Sequence, residues 1–488
     1  MDTLREKNSR VARGIVLVLL ISLACLDAAT LANAQSDKET WKPIAWAEKL
    51  YLPAQAVSYV VFEVDLALFQ ARATNRFKLP LPGGESIVLQ GAQIERVGKH
   101  GFLWQGKVEG DEYSIATFSI VDEALVGDVV TSRGKMYRVD HLAPRTVVIM
   151  ELNQSKFPPG GRPEPVLKSG RTLQTSVAST PPCPRDSADR IDVMVFYTEA
   201  ACAAASNSLT QCTPSGRSAI KAKVDQAVGE ADQTYTNSSV NQRLSLVHFD
   251  SVGSYSEATV LRDLDLLRLF GDAERELTGE ETTTYMDNVH PLRDQYAADV
   301  VVLVTRPTDR YPSGAAGGLA TPMTANAASQ EQQAFAIVPL DTLTGVFAFA
   351  HELGHVMGAD HDAGSPGDTP PYLYSHGFTK TNPSIAGIAP WRTVMAYNTD
   401  ACTAAAPLPC GCVATAQNTG ACGPEQPPCG CALLPYWSNP YKYHHGDAMG
   451  TTATANNHEA LNKTADTVAN YRVSCSRTPN PPSNVSSE

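Results

Sequence analysis

The sequence predicts an α/β (α+β) domain with a mostly parallel sheet, preceded by an all-β domain. Three observations carry this. Residues 35–156 hold short alternating or continuous apolar runs with no helical stripe. Residues 157–190 are broken by Pro158, Pro159, Gly160, Gly161, Pro163, Pro165, Pro181, Pro182 and Pro184, which forbid regular structure. From Ile191 onward, apolar strands alternate with amphipathic helices.

In chain order, Arg5, Lys7, Arg10 and Arg13 precede an apolar run from Gly14 to Leu26, and Ala32-Asn33-Ala34 offers a small-x-small cleavage site. Residues 1–34 are therefore expected to be a signal peptide, because the run falls short of the roughly 20 apolar residues of a membrane anchor. The expectation is export, with periplasmic transit, and no membrane association once the signal is removed. Of the 11 cysteines, Cys25 lies in this leader, and the even remainder fits disulfides in an oxidising compartment.

The all-β reading rests on Phe102-Leu103-Trp104, the alternating Ala116, Phe118 and Ile120, then Val126 to Val130 and Val147 to Met150. Residues 157–190 read as a linker open to proteolysis. In residues 191–475 the strands are Ile191 to Tyr197, Leu244 to Phe249 and the β-branched run Val300 to Val304, the last suited to a buried strand. One helix buries Ile220, Val224, Ala227, Val228 and Ala231; a second carries Leu261, Leu264 and Leu267. The tail 476–488, rich in Pro, Ser and Asn, reads as disordered.

A chain of 488 residues with 43% hydrophobic content exceeds what one core organises. The net charge of -12 and the lack of clustered Lys and Arg exclude nucleic acid as a partner.

The chemistry concentrates in His351-Glu352-Leu353-Gly354-His355-Val356-Met357-Gly358-Ala359-Asp360-His361-Asp362, after the helix-compatible Val346 to Ala350. Four helical residues turn the chain by about 400°, so His351 and His355 leave one face about 6 Å apart, a span that two imidazoles close on one zinc ion. A continued helix would point position 361 away. Gly358 provides the break, since without Cβ it takes positive φ and swings His361 back to the metal. Three neutral imidazoles leave a tetrahedral zinc one open position for water, and Glu352 is placed to take that water's proton.

This segment resembles the zinc signature of the metzincin metallopeptidases, H-E-x-x-H-x-x-G-x-x-H with a Met-turn downstream. Arg392-Thr393-Val394-Met395-Ala396-Tyr397-Asn398 resembles that turn, with Met395 as the apolar floor beneath the ligands. Asp362 after the third histidine is similar to the adamalysin or reprolysin branch, where it anchors structure below the site. Tyr397 instead matches the astacin and serralysin branches, where it approaches zinc or the reaction oxyanion; the alternative is packing.

The Val193 to Thr198 strand, Ser438-Asn439-Pro440 and the terminal Asn456 to Arg472 resemble bacterial secreted reprolysin-like enzymes, including peptidyl-Asp metalloendopeptidases. The resemblance covers roughly residues 188–475. It implies a metzincin-like catalytic domain with an active-site helix, one catalytic zinc ion, and internal cleavage of protein or peptide substrates. It also implies a latent precursor with the all-β unit as its own inhibitory prodomain. Gly317, Gly318, Leu319 and Ala320 would form the edge strand that pairs with substrate, or else a flexible loop, and Tyr436 to Tyr443 would wall the pocket. Two rivals stay open: an inactive secreted binding module that keeps zinc for structure, and a zinc hydrolase of non-peptide substrates.

Residues 399–431 form an insertion outside the family pattern, in which Cys402, Cys410 and Cys412 are echoed by Cys422, Cys429 and Cys431. Disulfides are expected there over a second metal, with Cys202–Cys212 and Cys183–Cys475 elsewhere. Residues 35–182 hold no cysteine, and Cys183, the nearby candidate for a zinc-capping thiol, is expected in a disulfide instead, so latency is expected from another residue or from steric cover. His444 and His445 are read as solvated loop residues.

Overall fold

The computed structural model describes residues 40–66, 69, 76–97, 101–161, 187–208, 210–269, 286–311, 316–363, 370–398 and 430–473. The leader, the tail, most of the insertion, Cys183 and Cys475 lie outside these. Sheets and helices mix in an α+β architecture, and among the described residues no helix is long and apolar enough to cross a membrane.

Residues 41–152 fold into one nine-stranded sheet in the order β1-β2-β9-β8-β7-β6-β5-β4-β3. The strands are β1 (Trp41–Pro43), β2 (Ala56–Val64), β3 (Arg76–Pro80), β4 (Ser86–Val97), β5 (Gly101–Val108), β6 (Ile115–Val121), β7 (Ala124–Val130), β8 (Met136–Ala143) and β9 (Thr146–Leu152). Every neighbouring pair is antiparallel. One face buries Phe77, Trp104 and Phe118 in edge-to-face contact at 5.0 to 5.7 Å. The other face packs on the C-terminal unit.

That unit opens with β10 (Arg190–Tyr197), α1 (Glu199–Ala205), α2 (Pro214–Asn237), β11 (Arg243–Ser251), α3 (Val260–Arg268), α4 (Val289–Tyr296), β12 (Val300–Thr305), β13 (Leu319–Ala320) and β14 (Phe335–Pro339). The sheet order is β11-β10-β12-β14-β13. Its first three pairings are parallel, and the edge strand β13 runs antiparallel to β14. Strand β12 is buried throughout, as its apolar run requires. In α2 the expected face is buried at Ile220, Val224, Ala227 and Ala231. In α3 the face is rotated: Leu264, Leu266 and Leu267 are buried, whereas Leu261 is exposed. Cys202 and Cys212 are bonded, tying α1 to the start of α2.

Next comes α5 (Ala348–Val356), then β15 (Asp360–Asp362), β16 (His376–Gly377), β17 (Thr379–Lys380), β18 (Trp391–Arg392), β19 (Ala432–Leu433), β20 (Asn439–His444), β21 (Asp447–Met449) and α6 (Asn457–Val468). His444 is buried rather than solvated, correcting the sequence reading. It lies on β20 against Tyr113 and Trp391, with ring centroids at 4.4 and 5.3 Å.

Helix α2 carries a polar seam to the nine-stranded sheet. Gln105 donates to the Gly229 carbonyl at 2.8 Å, and Gln226 donates to Asp128 at 2.7 Å and to Glu230 at 2.8 Å. Buried Arg138 donates to Asp128 at 2.8 Å and to the carbonyls of Asp341 and Thr344 at 2.7 and 2.8 Å. Glu230 in turn accepts from the Gly345 amide at 2.8 Å. The β unit thus grips the loop that feeds α5, where Phe347 takes a left-handed φ of 57° before the first helical residue.

Candidate metal centre

Helix α5 carries His351 and His355 one turn apart on a buried face, with Glu352 beside them. It ends as the spacing requires. Gly358 has φ 88°, its amide bonds the His355 carbonyl at 3.1 Å, and the Ala359 amide returns to the Gly354 carbonyl at 2.8 Å. This reversal delivers His361 on β15. Its Nε2 lies 3.1 Å from Nε2 of both His351 and His355.

Second partners aim the rings. His351 Nδ1 donates to the Val394 carbonyl at 3.0 Å and His355 Nδ1 to the Ala359 carbonyl at 3.1 Å. Each Nδ1 therefore holds the hydrogen, and each Nε2 lone pair faces the cluster. Burial lowers His351 to about 4 and His355 well below the ordinary histidine range, so both are neutral near pH 7. With His361 Nε2 at 3.1 Å from both of these lone pairs, the three buried nitrogens form a pocket that a cation between them satisfies. The donor set thus fits one metal ion, and nitrogen ligands in this number suit zinc.

Glu352 is buried, and neither carboxylate oxygen has a hydrogen-bond partner. Burial raises its carboxyl well above the ordinary range. A carboxylate kept this free is suited to accept a proton near neutral pH. Asp362, by contrast, is engaged: it accepts from the Thr379 hydroxyl at 3.0 Å and the Tyr397 amide at 2.7 Å. Met395 is fully buried beneath α5. The Tyr397 ring stacks on His361 at 4.0 Å. The expected edge residues lie beside the cluster, with β13 at the sheet edge and Gly318 packed on Glu352: a Cβ on that glycine would stand 2.5 Å from the carboxylate.

Two features escaped the sequence reading. The start of the expected linker, Pro158 to Gly161, runs through this cleft. Gly317 donates to the Pro159 carbonyl and Gly161 to the Gly318 carbonyl, each at 2.7 Å, while the Tyr397 hydroxyl lies 3.4 Å from the Gly160 carbonyl. A Cβ on Gly160 would sit 2.9 Å from His351 Nε2. Secondly, Arg392 opens the turn that carries Met395, donating Nη1 to the Ala396 carbonyl at 2.6 Å while its buried Nε has no partner. No periodicity or spacing marks either residue.

The model of metallo-peptidase family M12 (Reprolysin_5) matches residues 187–406, which include the three histidines, Glu352 and Met395. A peptidyl-Asp metalloendopeptidase of Xanthomonas campestris pv. campestris is 29% identical over 438 residues, covering 86% of this chain and 87% of the relative. One of Stenotrophomonas maltophilia is 29% identical over 494 residues, covering 96% and 100%. Site geometry and relatives agree on a metalloendopeptidase, and over residues 187–406 the chain is similar to the metzincin-like enzymes of family M12.

Proposed function

We propose that the chain is a secreted zinc endopeptidase made as a latent precursor, with His351, His355 and His361 as the zinc ligands and Glu352 as the catalytic base. The observation that carries this is the convergence of three buried Nε2 atoms beside a carboxylate with no hydrogen-bond partner. Zinc, when bound, would supply a water acidified toward neutral pH and would polarise the scissile carbonyl.

The rest falls to the chain. Glu352 accepts the proton of the attacking water and returns it to the departing amine. Tyr397, held over His361, donates its hydroxyl to the charge that develops on the carbonyl oxygen. The backbone of Gly317 to Ala320 pairs with an extended peptide, as an exposed sheet edge can. The names of the relatives support an aspartate beside the cleaved bond.

Latency rests on residues 158–161. They take up the hydrogen bonds that a substrate backbone would make with Gly317 and Gly318, and they lie against His351. In this reading residues 1–34 direct export, residues 35–156 are the prodomain, and cleavage in residues 162–186 begins maturation of the enzyme formed by residues 191–475. The test is to incubate the matured, zinc-loaded chain with a denatured protein mixture and sequence the new termini. Internal cuts at acidic residues support the reading, and an intact mixture refutes it.

A further inference from the structure

The buried cations of this fold generally meet a carboxylate. Arg138 reaches Asp128 at 2.8 Å, Arg306 reaches Glu257 at 2.6 Å, and Lys223 pairs with Asp140. The rule is physical, because a charge taken from water without a partner is costly. Two arginines depart from it: buried Arg293 spends its donors on the Ala298 and Asp299 carbonyls, whereas the partly exposed Arg392 leaves a donor over. Among the described residues no carboxylate comes within ion-pair distance of its guanidinium. Asp362, near enough for its charge to be felt, already accepts from Thr379 and Tyr397. One guanidinium nitrogen is spent on the Ala396 carbonyl, and the buried Nε donates to nothing.

Its position gives this vacancy a use. Arg392 is the last residue of β18, two before Val394, whose carbonyl holds His351, and its bonded carbonyl at Ala396 directly follows Met395. Trp391 is buried among Phe378 and His444, with ring centroids at 5.8 and 5.3 Å. Arg392 instead keeps partial exposure.

We propose that Arg392 is the specificity residue of this peptidase: it receives the carboxylate of an acidic substrate side chain next to the cleaved bond. This rests on the reading of the site as a peptide-hydrolysing centre. A planar guanidinium matches a carboxylate through two parallel N–H bonds. Discrimination follows because a neutral side chain of the same size leaves a buried donor unpaired, the situation in which sites reject the wrong substrate most strongly. Asparagine, isosteric with aspartate, is therefore the informative competitor.

The test uses the matured, zinc-loaded chain and peptides that differ only in Asp, Asn or Lys at one position beside the cleaved bond. The wild type should favour Asp over Asn by about 100-fold in kcat/KM. Arg392→Gln should reduce that ratio to near one, and Arg392→Glu should turn it toward Lys. A second readout needs no turnover: on a Glu352→Gln background, calorimetry should show tighter binding of the Asp peptide than of the Asn peptide, and adding Arg392→Gln should abolish the difference. Retention of the Asp preference in folded Arg392→Gln protein overturns the proposal. So does a wild type that cuts all three peptides equally. If the wild type cuts no peptide at all, the hydrolase reading fails, and this assignment falls with it.

Discussion

His351 donates its Nδ1 hydrogen to the Val394 carbonyl at 3.0 Å, across 43 residues of sequence. The bond ties His351 on α5 to the turn that carries Met395, so the direction of its Nε2 lone pair depends on both segments. A metal held there stabilises the folded chain alone, because unfolding separates the ligands. A chelator should therefore lower the thermal midpoint, with about 2.7 kcal/mol at stake when free metal stands at 100 times its Kd. Calorimetry with and without zinc checks this; identical midpoints would mean that the cluster binds no ion.

Glu352 has no bond to lose within the chain, so Glu352→Gln should fold and keep zinc. An amide cannot accept the water's proton. Turnover should fall by roughly 10² to 10⁴, read as peptide kinetics beside the zinc content of the same sample. Comparable rates in the two proteins would remove Glu352 from the mechanism.

Tyr397→Phe keeps the ring on His361 and removes only the hydroxyl. If that group bonds the oxyanion, kcat should drop while KM changes little. An unchanged kcat would leave the ring as packing.

Gly160→Val places a Cβ within 2.9 Å of His351 Nε2, closer than side chains approach. Overpacking of this kind costs about 1–3 kcal/mol. The uncleaved precursor should then gain roughly 5- to 150-fold activity on a short peptide, with matured enzyme unchanged. A precursor that stays as silent as wild type would put the block elsewhere.

Glu230 lies in the seam between the two units, and burial, with Asp128 adding to it, pushes its carboxyl up to about 8. A folded pKa above the unfolded value near 4.5 gives a contribution that is fully present below pH 4.5. It is lost as pH rises toward 8. Melting of the full chain should thus lose stability across that window by no more than about 1.4 kcal/mol per pH unit. Glu230→Gln should flatten the profile, and an equal slope in the variant would assign the dependence to other groups.

Local chemistry made much of this legible in advance. The i, i+4 histidines and Gly358 spell out a turn of helix and its reversal, and both depend on only a few neighbouring residues. The strands around Val193 and Val302 were readable because burial on both faces demands unbroken apolar runs. What stayed hidden depends on partners distant in sequence. His444 looked solvated because nothing local reveals Tyr113, more than 300 residues earlier, as its cover. Pro158 to Gly161 read as a spacer, since absence of regular structure says nothing about where a segment lies. Arg392 was one residue of a recognised turn, and a missing ion-pair partner leaves no mark in sequence.

The passage of Pro158 to Gly161 through the cleft has a consequence for timing. As a free tetrapeptide it would bind feebly, with two short backbone bonds and little side-chain surface. Joined to β9 through a single turn at Gln154–Lys156, it is presented at an effective concentration in the millimolar range or above, which weak binding suffices to exploit. A cut beyond Gly161 does not alter that local concentration, because the segment stays attached to the nine-stranded sheet, and the sheet stays docked through Arg138 and Gln105. Under the proposed latency, the first product of processing would be a nicked and still silent complex. Its awakening would then be a dissociation, governed by off-rate and dilution: crowded molecules would remain quiet, and molecules dispersed into a larger volume would become active.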